Sequence, residues 1–258
     1  MDPYLAYYAA DYPTGGAAVS KESGLGDRFL LGGWNLSGDT AAIDNCHGGP
    51  AAQDVTGIDK SAMERIGGLK DASMEWTSWF NPANAHTALS TLPTTSRVTT
   101  YLRGLGIGSP GAGLVGKQIN YDPKRAADGT LQLAVSVQGS DGSPLEWGVQ
   151  LTDGLRTDTT ATNGASVDNA ASSAFGAAFY LHALSVTGTS VVVKVQSSTD
   201  NSAWSDLATF ATVPTASAPT AERVAVTGTV PRYLRVVTTG TFNPATFVVL
   251  GCRYGAAA

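Results

Sequence analysis

The 258-residue chain is 43% hydrophobic, enough for a packed core, yet only 14% of its residues are charged, well under the roughly one quarter usual in globular domains. A net charge of −5 and a pI near 5.1 exclude tight wrapping of nucleic acid, which needs clustered Lys and Arg. No run approaches the roughly 20 apolar residues of a membrane span, so no membrane partner is expected.

The length suits one large or two ordinary domains. The opening MDPYLAYYAADYPTGG has no basic n-region and no sustained apolar core, so a secretory leader is not expected. Residues 1–28 hold four tyrosines, Tyr4, Tyr7, Tyr8 and Tyr12, then PTGG, and read as an extended arm. FLLGGWNLSGDTAAID (29–44) is a strand, a glycine turn and a second strand. DVTGIDKSAMERIGG reads as a loop closing into a short helix that breaks at Gly67-Gly68.

An alternating strand follows at once. Met74, Trp76, Ser78 and Phe80 take one face, and Glu75, Thr77 and Trp79 the other. Asn81-Pro82 stops it, and ANAHTALSTLP predicts one or two helical turns ended by Pro93. VTTYLRGLGIG (98–108) is a strand running into a glycine-rich segment, and 104–129 reads as a long loop with turn signals at Asp122-Pro123 and Asp128-Gly129. TLQLAVSVQGS (130–140) is the cleanest strand: Leu131, Leu133, Val135 and Val137 oppose Gln132, Ala134, Ser136 and Gln138. LEWGVQL (145–151) is another.

The composition then shifts. Residues 152–176 are almost all small and polar and read as a linker into a second domain. Beyond it, strands recur about every ten residues, the spacing of a sandwich or jelly roll. The fold class is therefore mainly β, with a domain over 1–157 and a β-sandwich over 158–258 that folds separately.

The chemical motifs are weak. GSPGAGLVGKQ matches the dinucleotide fingerprint twice and the first seven positions of a P-loop, but each chemistry needs a helix to open after the glycines. Asp122-Pro123 forbids one, and Gln118 stands where a magnesium-holding hydroxyl belongs. His47, His86 and His182 lack metal-ligand spacing, and GxSxG is absent. Glu75-Trp76 and Glu146-Trp147 admit a glycosidase pair, but a ring beside a solvated carboxylate is the simpler reading. Cys46 and Cys252, far apart, make neither a disulfide framework nor a zinc knuckle and are expected as free thiols. No enzyme, metal or cofactor is expected.

Two resemblances add to this. VQSSTDNSAWSDL (195–207) with RYLRV (232–236) resembles the hairpin and late strand of discoidin-like, galactose-binding jelly rolls, which implies a core role for Trp204 and strand positions for Arg232 and Arg235. DVTGIDKSAMERIGGLKDASMEWTSWFN (54–81) is similar to the central segment of siphophage major tail proteins, with Thr56, Gly57, Ser61, Glu64, Gly68, Leu69, Asp71 and Ser73 at matching places. That second resemblance implies a virion structural protein, made in the host bacterial cytoplasm, in which hexameric rings of the chain stack into a tail tube with the tape-measure and other tail proteins as partners and DNA passing transiently. Glu75, Thr77, Gln132, Ser136 and Gln138 are then the candidates for the bore. Tyr4, Tyr7, Tyr8, Tyr12, Lys117, Lys124 and Arg125 are the candidates for ring-to-ring contact. The rival implication, from the second domain alone, is a carbohydrate-binding accessory or adhesion protein of the virion.

Overall fold

The computed structural model describes residues 23–140 and 142–255; the four arm tyrosines lie outside them. The fold is mainly β, with antiparallel pairing between all its strands. In the N-terminal half the strands are β1 (Arg28–Leu31), β2 (Trp34–Asn35), β3 (Thr40–His47), β4 (Pro50–Asp54), β5 (Arg65–Lys70), β6 (Ser73–Trp79), β7 (Arg97–Leu102), β8 (Pro110–Arg125), β9 (Leu131–Gly139) and β10 (Glu146–Gln150). The helical turns expected before Pro93 are present as α1 (Ala85–Leu89), whose Ala85, Ala88 and Leu89 are buried.

The segment read as a long loop at 104–129 is instead dominated by the 16-residue strand β8. Its first half pairs with β7 and β10, and its second half with β9, across a register shift between Gln118 and Asn120. Residues 111–116 are buried throughout, as in a strand covered on both faces. The glycines that suggested flexibility serve close packing: a Cβ on Gly113 would sit 2.7 Å from the Tyr180 ring. One strand thus belongs to two sheets. The β10–β8–β7–β1–β2 sheet uses its first half, and β8–β9–β6–β3 its second.

The helix expected near Ala62 and Met63 is absent. Residues 50–70 form a two-stranded hairpin of β4 and β5, paired from Pro50↔Lys70 to Asp54↔Arg65. Thr56 holds its far end, donating to Asp54 Oδ1 at 2.6 Å and accepting from the Glu64 amide at 2.8 Å. A run this short before two glycines is too brief to nucleate a helix, and the hairpin offers its amides partners.

The C-terminal strands are β11 (Arg156–Asp158), β12 (Asn163–Asp168), β13 (Ala177–Ser198), β14 (Ser205–Thr209), β15 (Val213–Pro214), β16 (Thr220–Val226) and β17 (Tyr233–Arg253). The 152–176 stretch is no linker: β11 and β12 both pair with β17. Arg156 anchors it, donating to Asp158 at 2.7 Å and to the Val236 carbonyl at 2.8 Å, while buried Asp158 accepts from Thr238 at 2.6 Å. The expected boundary at 157/158 falls inside β11. β13 and β17 run side by side along nearly their whole lengths, with register shifts between Ala183 and Ser190. The shifts fold this ribbon over, so its two halves enclose a core of Phe179, Leu181, Val193, Phe210, Val236 and Phe247.

A second core, around Phe29, Trp76, Leu114 and Val135, fills the N-terminal half. A third draws on both halves: Leu30, Val98, Leu102 and Val115 pack with Tyr180, Val248 and Leu250. Above it β10 hydrogen-bonds to β17, with Val149 opposite Gly251 and Gln150 opposite Leu250. A single sheet therefore runs from β14 through β13, β17, β10, β8, β7 and β1 to β2.

Candidate functional site

The sheet β3–β6–β9–β8 brings the expected polar residues together. Glu75 lies opposite Ser136, Ser73 opposite Gln138, and Trp79 opposite Gln132. Directly opposed residues of antiparallel strands share a face, so Glu75, Thr77, Gln132, Ser136 and Gln138 form one surface, backed by buried Met74, Trp76, Leu133, Val135 and Val137. β8 extends it with Asn120, Asp122 and Lys124 opposite Ser136, Ala134 and Gln132, and Lys117 opposite Gln138. Lys117 and Lys124 therefore sit on the same polar face as the bore candidates, on a strand and not on a connecting loop, whereas Arg125 faces Leu131. The face carries both signs of charge. Thr77 donates to Asp44 at 3.0 Å and Asn120 to Asp122 at 2.8 Å, which fixes part of it.

Both outer edges of this sheet are open among the described residues. As strands, β3 pairs only with β6 and the 117–125 part of β8 only with β9, while the Lys117 and Gln118 side chains donate to the Thr94 and Leu89 carbonyls at 2.6 and 2.7 Å. From the β3/β6 end projects the β4–β5 hairpin, where Val55, Ile58, Met63, Ile66 and Leu69 are exposed.

Between the two halves sits a buried charge cluster that sequence reasoning missed. Arg223 on β16 holds Glu146 of β10 with Nε at 2.9 Å from Oε2 and Nη2 at 2.7 Å from Oε1. The Tyr254 hydroxyl donates to Oε1 at 2.7 Å, and the Tyr180 hydroxyl donates to Oε2. Burial pushes the Glu146 carboxyl up, but the bonds from Arg223, Tyr180 and Tyr254 outweigh it and hold it below the usual range. All its lone pairs are engaged, so it has neither a raised pKa nor a free oxygen for a general acid. Glu75 stands on the polar face, so the glycosidase pairing has no geometry to support it. The only sequence signal was Glu146 beside Trp147; Tyr180, Arg223 and Tyr254 are far away in the chain.

Nearby, His182 is fully buried on β13. Its Nδ1 accepts from the Gly33 amide at 3.2 Å, so the neutral ring carries its proton on Nε2, 2.8 Å from Thr100 Oγ1. Burial, with help from the Arg97 charge, pushes its pKa down to about 3. Gly33 has φ +90, and a Cβ there would meet the Thr220 amide nitrogen at 2.3 Å. His182 is a packed cross-lobe strut. His86 meets Tyr121 at 2.7 Å, and among the described residues no group of three or more His, Cys, Asp or Glu could hold a metal ion.

The 198–205 hairpin forms as the resemblance implied: Asp200 accepts from the amides of Ser202 and Ala203, each at 2.9 Å. Trp204 departs from it. It is half-buried on the surface beneath Arg235, whose guanidinium carbon lies 4.2 Å from the ring centroid. Arg235 is on β17, while Arg232 just precedes it and pairs with Asp168 at 2.6 Å. Cys46 and Cys252 are free thiols on different strands, and burial pushes the Cys46 thiol up to about 11.

No family model and no curated protein matches the chain. Among solved structures, similar chains come from the SPP1 Dit (gp 19.1) protein, described as a paradigm of the hub adsorption apparatus in Gram-positive infecting phages, and from the phage p2 baseplate in its activated conformation with Sr and with Ca. The Dit chain is 9% identical with a TM-score of 0.31, over 88% of this chain and 99% of that one. The baseplate chains are 8% identical with TM-scores of 0.33 and 0.34, each over 88% of this chain and 98% of theirs. At such values the likeness assigns neither fold nor role.

Proposed function

We propose that this chain is a structural subunit of a bacteriophage tail, joined edge to edge into closed hexameric rings that stack into the tube of a long non-contractile tail. The observation that carries the reading is the sheet β3–β6–β9–β8, which has two open edges and a polar outer face. Open edges are templates for another strand. Pairing β3 of one copy with the 117–125 edge of the next is head-to-tail, and such contacts close into a ring when the rotation permits. The segments match in length, at about 25–30 Å each for a rise near 3.3 Å per residue. The face bearing Glu75, Thr77, Gln132, Ser136 and Gln138 then lines the bore. Its polar character and balanced charge let DNA move, where a basic wall would hold phosphates.

The hairpin supports the same reading. A two-stranded ribbon is marginal alone in water, and five exposed apolar side chains on it call for a covering surface, which a neighbouring copy supplies. The resemblance of 54–81 to siphophage tail proteins adds the phage context, the virion location, assembly in the host cytoplasm, and the tape-measure protein as a partner within the bore.

Negative-stain microscopy and sedimentation velocity of the purified chain test this. Rings or tubes with a central hole are expected. Rings that never stack would remove the tube and keep the ring, and a monomer at all concentrations would overturn both.

A further inference from the structure

A cavity of about 420 Å³ opens where the hairpin root, the residues before β10 and the end of β17 meet, within the roughly 300–1,000 Å³ of small-molecule sites. Three cations line it, Lys70, Arg223 and Arg253, against one carboxylate, Glu146, among the described residues. Glu146 is consumed by Arg223, as described above. The other two cations make no ion pair among the described residues. Among the described residues Arg253 is held in place by carbonyls, with Nη2 2.6 Å from Ala171 O and Nη1 3.5 Å from Asn169 O. Its Nε is buried with no hydrogen-bond partner among the described residues. On the same rim the Trp147 indole is 53% exposed.

A guanidinium fixed by backbone carbonyls, a second cation with no ion partner among the described residues and an exposed aromatic face are the parts of a site for an anion carried on a ring. The guanidinium suits a phosphate or carboxylate, and an indole face supplies apolar contact area at low entropic cost. Ser143 also lines the cavity, and its hydroxyl suits a ligand rich in hydroxyls. We propose that this cavity binds an anionic saccharide, its phosphate or carboxylate held by Lys70 and Arg253 and its ring laid against Trp147. The site lies within one copy of the chain and does not rest on ring assembly.

The test is calorimetric and fluorescence titration of the full chain with glucose 1-phosphate, glucuronate, glucose, inorganic phosphate and AMP. Saturable, salt-sensitive binding of at least one of the two anionic sugars is expected, with glucose weaker by about tenfold or more. The preferred arm tells a phosphate ligand from a carboxylate one. Trp147→Ala and Lys70→Ala should each weaken binding about tenfold with an unchanged melting temperature, since both side chains are exposed. Three results overturn the proposal: no saturation by either sugar anion below about 10 mM, inorganic phosphate binding as well as the sugars with no effect of Trp147→Ala, or AMP binding more tightly than both sugars.

Discussion

At the scale of single residues, the decisive groups are those that bind the two halves to each other. Glu146 is 5% exposed at its side chain and Arg223 15%, so removing the acid leaves a buried, unpaired guanidinium. Glu146→Gln should lower stability by about 3–5 kcal/mol, read as a shift of the urea midpoint. Because the folded carboxyl is held below its usual range, its contribution is complete above the unfolded pKa and disappears as pH falls through the folded one. The wild-type advantage over Glu146→Gln should shrink in strong acid. His182 acts earlier in the same direction. Its folded pKa of about 3 lies below the ordinary 6.5, so the unfolded chain takes up a proton first. Stability should fall by up to about 1.4 kcal/mol per pH unit between those values. His182→Asn keeps a donor and an acceptor and cannot titrate; it should flatten that slope in pH-resolved thermal melts while lowering the melting temperature at pH 8.

At the scale of elements, the proposed ring makes the hairpin β4–β5 an attachment and not a support. Its apolar side chains touch none of the three cores, so Ile58→Asp together with Leu69→Asp should leave the melting temperature of the isolated subunit unchanged. The same pair should abolish assembly in sedimentation velocity. An unfolded or unstable double variant would mean that the hairpin props up its own subunit. The strands with clean alternation were legible from the sequence, because period-two patterning reports a sheet with one wet face: β6 and β9 are where Met74, Trp76, Leu133 and Val135 placed them, and α1 stops before Pro93. β8 was illegible for the opposite reason. Its first half, covered on both faces and rich in glycine, has no alternation, and its neighbour β10 comes from outside any local window. The hairpin deceived for a third reason, since Ala62, Met63 and Ile66 fit a helical spacing by accident in a ribbon too exposed to show period two. Beyond Glu146 beside Trp147 the charge cluster had no local signal, because its four residues come from four separate stretches of chain.

At the scale of the whole molecule, the shared core of Leu30, Val98, Leu102 and Val115 with Tyr180, Val248 and Leu250 argues that the halves fold as partners. A chain cut after residue 157 would uncover those side chains and strip Glu146 of Arg223, Tyr180 and Tyr254. It should be insoluble, or bind a hydrophobic dye with no cooperative melt. A soluble, cooperatively melting fragment would show that the N-terminal half is self-sufficient. The continuity of β10 with β17 reaches further. Two modules joined by a tether swing independently, and averaging over many copies blurs the outer one. Here the β13–β17 ribbon continues the same sheet as β10 and β8, fixed like a cantilever, so in the proposed ring each copy would point its ribbon at one set azimuth. The exterior of the proposed assembly would then be a lattice of aligned projections, as sharply defined as the wall that carries them.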